Sequence, residues 1–155
     1  MNKLRIYCDT SVIGGCFDKE FDRYSNLFIN EIISGNIILL ISEVIIRELT
    51  KGPEKLIELL QSLPSSNIEL VELNNEILEL ANKYLIEQIV SEKYKDDSIH
   101  VAAATVSEAD AIVSWNFKHI VRLDKIKQYN YVNSINGYGL INIITPMELN
   151  YEHEE

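Results

Sequence analysis

The stretch NIILLIS, residues 36–42, constrains this chain more than any other. It is a short, continuous apolar run, as expected of a parallel strand buried on both faces. Such a strand needs helices above and below it, which places the chain in the α/β class. LRIYC at 4–8, NIELVEL at 67–73, DAIVSWN at 110–116 and GLINIIT at 139–145 read as further strands. Helical periodicity lies between them. Phe21, Tyr24, Leu27, Phe28 and Ile32 mark a helix over 20–34, with Gly35 where a C-terminal glycine belongs. Ser42 is placed to cap a helix running to Thr50, and Pro53 opens one to about Leu63. Asn74 caps a long helix whose stripe is Ile77, Leu80, Ala81, Tyr84, Leu85 and Ile89. Asp96 or Asp97 opens a helix through Glu108, another spans 119–135, and Pro146 starts a short last one. The alternation predicts a central, mainly parallel sheet with helices on both sides.

A chain of 155 residues suits one domain with its own core, here residues 1–150, followed by a short acidic tail over 151–155. No apolar run reaches the ~18–20 residues that span a bilayer, and the N-terminus reads as free of a secretory signal. Cys8 and Cys16 do not make a disulfide framework, so a reducing, cytoplasmic setting is expected. The net charge of −10 argues against a protein that coats nucleic acid by charge alone. The charge is uneven, though. Lys118, His119, Arg122, Lys125 and Lys127 crowd one segment and suggest a basic rim on an acidic body.

Three acids stand out by position. Asp9 ends the first strand, ahead of Thr10, Ser11 and a turn at Gly14 and Gly15. Glu48 borders the apolar face that Ile45, Ile46 and Leu49 give the helix SEVIIREL. Asp97 opens a helix on which His100, Val101 and Ala104 share its face, and Ala102, Ala103 and Ala104 allow close packing on the sheet. The helix dipole is expected to hold Asp97 ionised, whereas Asp96 points away as a solvated charge. Asn116 lies past a later strand, beside Ser114. In α/β sheets ligands sit outside the carboxyl ends of the strands. Carboxylates gathered there stay ionised together when a cation binds among them, and hard oxygen ligands favour Mg²⁺ or Mn²⁺. No cysteine or histidine spacing suits zinc. Each acid alone also has an ordinary reading, as a turn residue, a surface glutamate or a helix cap. The combination carries the weight.

YCDTSVIGG, SEVIIREL, DDSIHVAAAT and ADAIVSWNFKHI together make the chain resemble the PIN-domain proteins, most closely the toxin-like (VapC-type) ribonucleases of toxin–antitoxin pairs. The resemblance covers nearly the whole chain. It implies a three-layer α/β/α sandwich, an acidic Mg²⁺/Mn²⁺ site and cleavage of single-stranded RNA. It also implies an antitoxin partner and a homodimer. The family's acids fall on Asp9, Glu48 and Asp97, which become the expected metal ligands. The fourth acidic position falls on Asn116, which removes one negative charge. Thr10, Ser11 and Ser114 match supporting hydroxyls, and Lys118 and Arg122 are the expected phosphate contacts. The helix over 20–34 would contribute to an antitoxin groove or to the core. The alternative reading is a catalytically weakened PIN-like module that binds RNA or a protein partner without cleavage. A phosphoacceptor receiver domain fits poorly, because Leu73 and Asn74 stand where its acceptor Asp would. A phosphatase would want an acid at Ser11. Trp115 reads as packing under a loop rather than stacking on a base, and His100 as a satisfied structural histidine.

Overall fold

The computed structural model describes residues 3–151. Its elements in order are β1 (Leu4–Cys8), α1 (Thr10–Gly15), α2 (Asp22–Ile33), β2 (Ile37–Ser42), α3 (Glu43–Thr50), α4 (Glu54–Ser62), β3 (Ile68–Val71), α5 (Asn75–Ile86), α6 (Lys95–Val106), β4 (Ala111–Val113), α7 (Leu123–Ile135) and β5 (Ile143–Ile144). Every strand pairing is parallel, and the sheet order is β3-β2-β1-β4-β5. The expected α/β sandwich with a parallel sheet is what forms. No helix among the described residues is long and apolar enough to cross a membrane.

Strand periodicity divides the core between two faces. Ile6, Cys8, Leu39, Ile41, Ala111 and Val113 point to one side, where Val12, Phe28, Ile32, Ile45, Leu49 and Leu60 of α1–α4 cover them. Tyr7, Leu40 and Ile112 point to the other, against Ile77, Leu80, Tyr84, Val101, Tyr129 and Val132 of α5–α7. Ala102, Ala103 and Ala104 are fully buried, so α6 does lie close on the sheet. Phe28 and Ile32 are core, while Tyr24 is only half-buried and packs beside Tyr151. Of the expected acidic tail, residues 152–155 lie outside the described residues, as does His153. Tyr151 donates to the Pro146 carbonyl at 2.6 Å.

Several local expectations need correction. The expected turn at Gly14 and Gly15 is the short helix α1. Gly15 serves close approach rather than turning: a Cβ there would sit 2.5 Å from Ser25 Oγ and 2.8 Å from Trp115 Nε1. Ser42 occupies the cap position of α3 but makes no capping bond, because its hydroxyl meets Tyr7 instead. Pro53 precedes α4 as its cap residue rather than lying within its first turn. Neither Asp96 nor Asp97 caps α6: Tyr94 does, and both acids sit in the first turn. β4 and β5 shrink to three and two residues, and α7 starts at Leu123 because 119–122 fold as turns. Two caps form where the sequence placed them. Asn74 accepts from Ile77 N at 2.9 Å, and Gly35 takes φ +80° after α2.

The topology locates the functional edge. From β1 the chain winds to β2 and β3 on one side, then returns to β4 and β5 on the other. The switch point therefore lies between β1 and β4, and the crevice outside their carboxyl ends is where such sheets bind ligands.

Candidate active site at the switch point

Asp9 is the first residue past β1, and only 4% of it is exposed. Its two carboxylate oxygens accept from Ser11 Oγ at 2.6 Å and Ser114 Oγ at 2.7 Å. Those hydroxyls in turn accept the backbone N–H of Trp115 and of Asn116, each at 2.8 Å. The carboxylate thereby joins the ends of β1 and β4. Burial pushes the Asp9 pKa up, against the His100 charge and the two hydroxyl bonds, and the Asp97 charge adds to the rise.

Glu48 reaches the same region from α3. Thr10 Oγ1 donates to its Oε1 at 2.8 Å, and His100 Nε2 meets the same oxygen at 2.9 Å. Burial raises its pKa, but the His100 and Thr10 bonds outweigh that and hold it below the usual glutamate value. His100 is 1% exposed, and its Nδ1 lies 2.7 Å from the Tyr7 hydroxyl. Burial lowers the His100 pKa, yet the Glu48 bond and the charges of Asp9, Glu48 and Asp97 leave it raised.

Asp97 lies on the first turn of α6, with His119 Nδ1 2.8 Å from its Oδ2. The Asn116 side chain also bonds it. The Asn116 side-chain oxygen Oδ1 is turned into its own loop, where it accepts from His119 N at 2.9 Å and Lys118 N at 3.2 Å. This leaves the amide for Asp97. The dipole does not dominate at Asp97, as the helix position suggested: burial comes first, and the pKa is raised despite the His119, His100 and Asn116 contributions. Asp96 is not merely solvated, since it pairs with Arg47 at 3.0 Å on the surface.

Thus Asp9, Thr10, Ser11, Glu48, Asp97, Ser114 and Asn116 share one hydrogen-bonded and electrostatically coupled region. The basic rim divides. Arg122 is tied to Asp124 by two bonds, at 2.6 and 2.7 Å. Among the described residues Lys118 is in no ion pair, and its ammonium lies 5.7 Å from the Tyr94 ring, with Lys93 at 5.5 Å. Trp115 is buried, stacks on Phe21 at 4.5 Å and donates from Nε1 to Ser25 at 2.8 Å. Sequence reasoning missed Tyr7 and Ser42, and it placed His119 on the rim. The Asn116-x-x-His119 spacing is a usable signal for His119, because an Asn that bonds the N–H groups two and three residues ahead turns the loop back on itself.

The donor chemistry suits a hard divalent cation. The Asp97 charge adds to the rise of the Asp9 pKa, as a like charge near a buried carboxylate does, and His100 feels the negative charge of both. Among the described residues no three His, Cys, Asp or Glu side chains form a ready metal cage. Mg²⁺ does not need one, since it is commonly held by one or two carboxylates, with waters completing the shell.

The raised groups set a pH dependence for the metal-free protein. A raised folded-state pKa stabilises below the unfolded value and loses that contribution as pH climbs through the folded value. Asp9, Asp97 and His100 have this sign; Glu48 has the opposite one and matters only in acid. Thermal unfolding in a chelator should therefore show a melting temperature that falls as pH rises above the ordinary histidine value of 6.5, and the fall should shrink in His100→Gln. A flat profile would contradict this sign.

No protein-family model and no curated protein matches the sequence. Among solved structures, a chain in the crystal structure of VapBC2 from Rickettsia felis, bound to a DNA fragment from their promoter, superposes with a TM-score of 0.53. It is 18% identical, and the match covers 74% of this chain and 90% of that one. At this identity the likeness shows the fold alone, an α/β sandwich around a parallel sheet.

Proposed function

We propose that this chain is a Mg²⁺- or Mn²⁺-dependent endoribonuclease acting on single-stranded RNA, and the toxin of a toxin–antitoxin pair. The observation that carries the reading is the placement of Asp9 and Asp97 at the carboxyl edge of the sheet, the Asp97 charge acting on Asp9 and both acting on His100, which bonds Glu48. The fold likeness to a chain of VapBC2 supports it. Asp9 and Asp97, with Glu48 as the third acid, would hold the ion. Such an ion, when bound, activates water and stabilises the oxygens of a phosphodiester under in-line attack.

The chain's own residues have separable roles. Ser11 and Ser114 orient the Asp9 carboxylate, and Thr10 and His100 orient Glu48. His119 and Asn116 hold Asp97. Asn116 therefore acts through Asp97 instead of supplying a fourth charge. Lys118, in no ion pair among the described residues, takes the RNA phosphate, while Arg122 stays with Asp124. An antitoxin would cover the site in a cytoplasmic complex, and the toxin would act as a homodimer.

The test is incubation of the purified chain with a mixed-sequence single-stranded RNA, in Mn²⁺ and in chelator. Cleavage in Mn²⁺ alone is expected, weakened by Lys118→Ala more than by Arg122→Ala. RNA binding without cleavage in either condition would sink the nuclease reading and favour the non-cleaving module that Asn116 also suits.

A further inference from the structure

We propose that Tyr7 is a positioning residue for this reaction, fixing the Glu48 carboxylate through the His100 imidazole; the proposal rests on the nuclease reading above. Tyr7 and Ser42 are fully buried, and His100 is 1% exposed. Around them lie Leu40, Ile112, Val101 and Ala104. A phenylalanine at position 7 would fill that space without burying a hydroxyl, which is unfavourable unless the hydroxyl is bonded. Tyr7 is bonded twice, to Ser42 Oγ at 2.9 Å and to His100 Nδ1 at 2.7 Å. His100 continues the chain from Nε2 to Glu48 Oε1 at 2.9 Å.

The direction of this chain follows from donor rules. An ionised carboxylate only accepts, so Nε2 must carry a hydrogen. Nδ1 then meets the Tyr7 hydroxyl, and that contact selects the ring orientation that presents Nε2 to Glu48. Thr10 and His100 both hold Oε1, so neither bond uses Oε2. A buried relay that starts at the end of β2, crosses β1 and passes through α6 thus aims one carboxylate of the candidate site. If the relay served only to tie these elements together, losing the hydroxyl would change stability and nothing else.

The experiment uses Tyr7→Phe in the full chain. In metal-free protein, the His100 ring nitrogens are read by ¹⁵N–¹H correlation spectroscopy. At a pH high enough for His100 to be neutral, wild type should show one Nε2-protonated tautomer with Nδ1 hydrogen-bonded, and the variant a shifted or mixed pattern. In Mn²⁺, kcat on single-stranded RNA should fall about 10–100-fold, as for other residues that orient a metal-site ligand, with KM unchanged. Should Tyr7→Phe fail to fold, Ser42→Ala removes the far end of the relay and is read the same way. An active wild type whose variant keeps kcat and the His100 spectrum would overturn the positioning role alone. A wild type that cuts no RNA in any metal would overturn the nuclease reading and this proposal with it.

Discussion

Asp9→Asn is expected to lower metal-dependent RNA cleavage by about 10²-fold or more while leaving the fold intact. The size follows from the several kcal/mol that a catalytic metal contributes, at about 1.4 kcal/mol per factor of ten. The stability side follows from the buried charge. Burial pushes the Asp9 pKa up, so at neutral pH the ionised carboxylate works against the folded state. Asparagine keeps the shape and removes that charge, and the Ser11 and Ser114 hydroxyls can rotate to serve an amide. The melting temperature in chelator should hold or rise. Unfolding of the variant would mean that the bridge between β1 and β4 is what Asp9 is for.

Trp115→Ala should be the most damaging single change to stability among those that spare the acids. The indole is 6% exposed, stacked on Phe21, bonded to Ser25 and pressed against Gly15. Truncating a buried Trp costs about 3–5 kcal/mol, which for a chain of this size lowers the melting temperature by about 10 °C. Below that temperature, RNA affinity should match wild type. An unchanged melting temperature with a clear loss of RNA affinity would instead mean that the ring stacks on a base. The backbone N–H of Trp115 donates to Ser11, so unfolding here would also release the support of Asp9.

The architecture was readable because periodicity reports burial. NIILLIS has no wet face since helices do cover β2 on both sides, and the alternation of elements allows little besides a parallel sheet. What periodicity could not report was why a glycine is present. In sequence Gly15 reads as a turn because glycine permits turning, whereas in the fold it yields space to Trp115. Strand ends were overread at β4 and β5, since apolar residues outside the ladder look the same in sequence as those within it.

At the site, the acids were legible by their places after strands and beside an apolar face. Their partners were not. Tyr7 looked like an ordinary strand residue, and only the packing of α6 against β1 brings His100 to its hydroxyl. His119 looked like part of a basic segment until the loop held by Asn116 turned it toward Asp97. Asn116 itself reads in sequence as a lost charge. The hydrogen bonds recast it as a support, its oxygen bound to the loop and its amide on Asp97. Such pairings depend on contacts distant in sequence, which no local pattern encodes.

The central claim is that Asp9 and Asp97 together hold a divalent ion, and calorimetric titration of Mn²⁺ into wild type, Asp9→Asn and Asp97→Asn tests it most directly. The account predicts saturable binding to wild type that disappears in both variants, each still folded. Binding that survives both substitutions, or a wild type that takes up no ion, would contradict it.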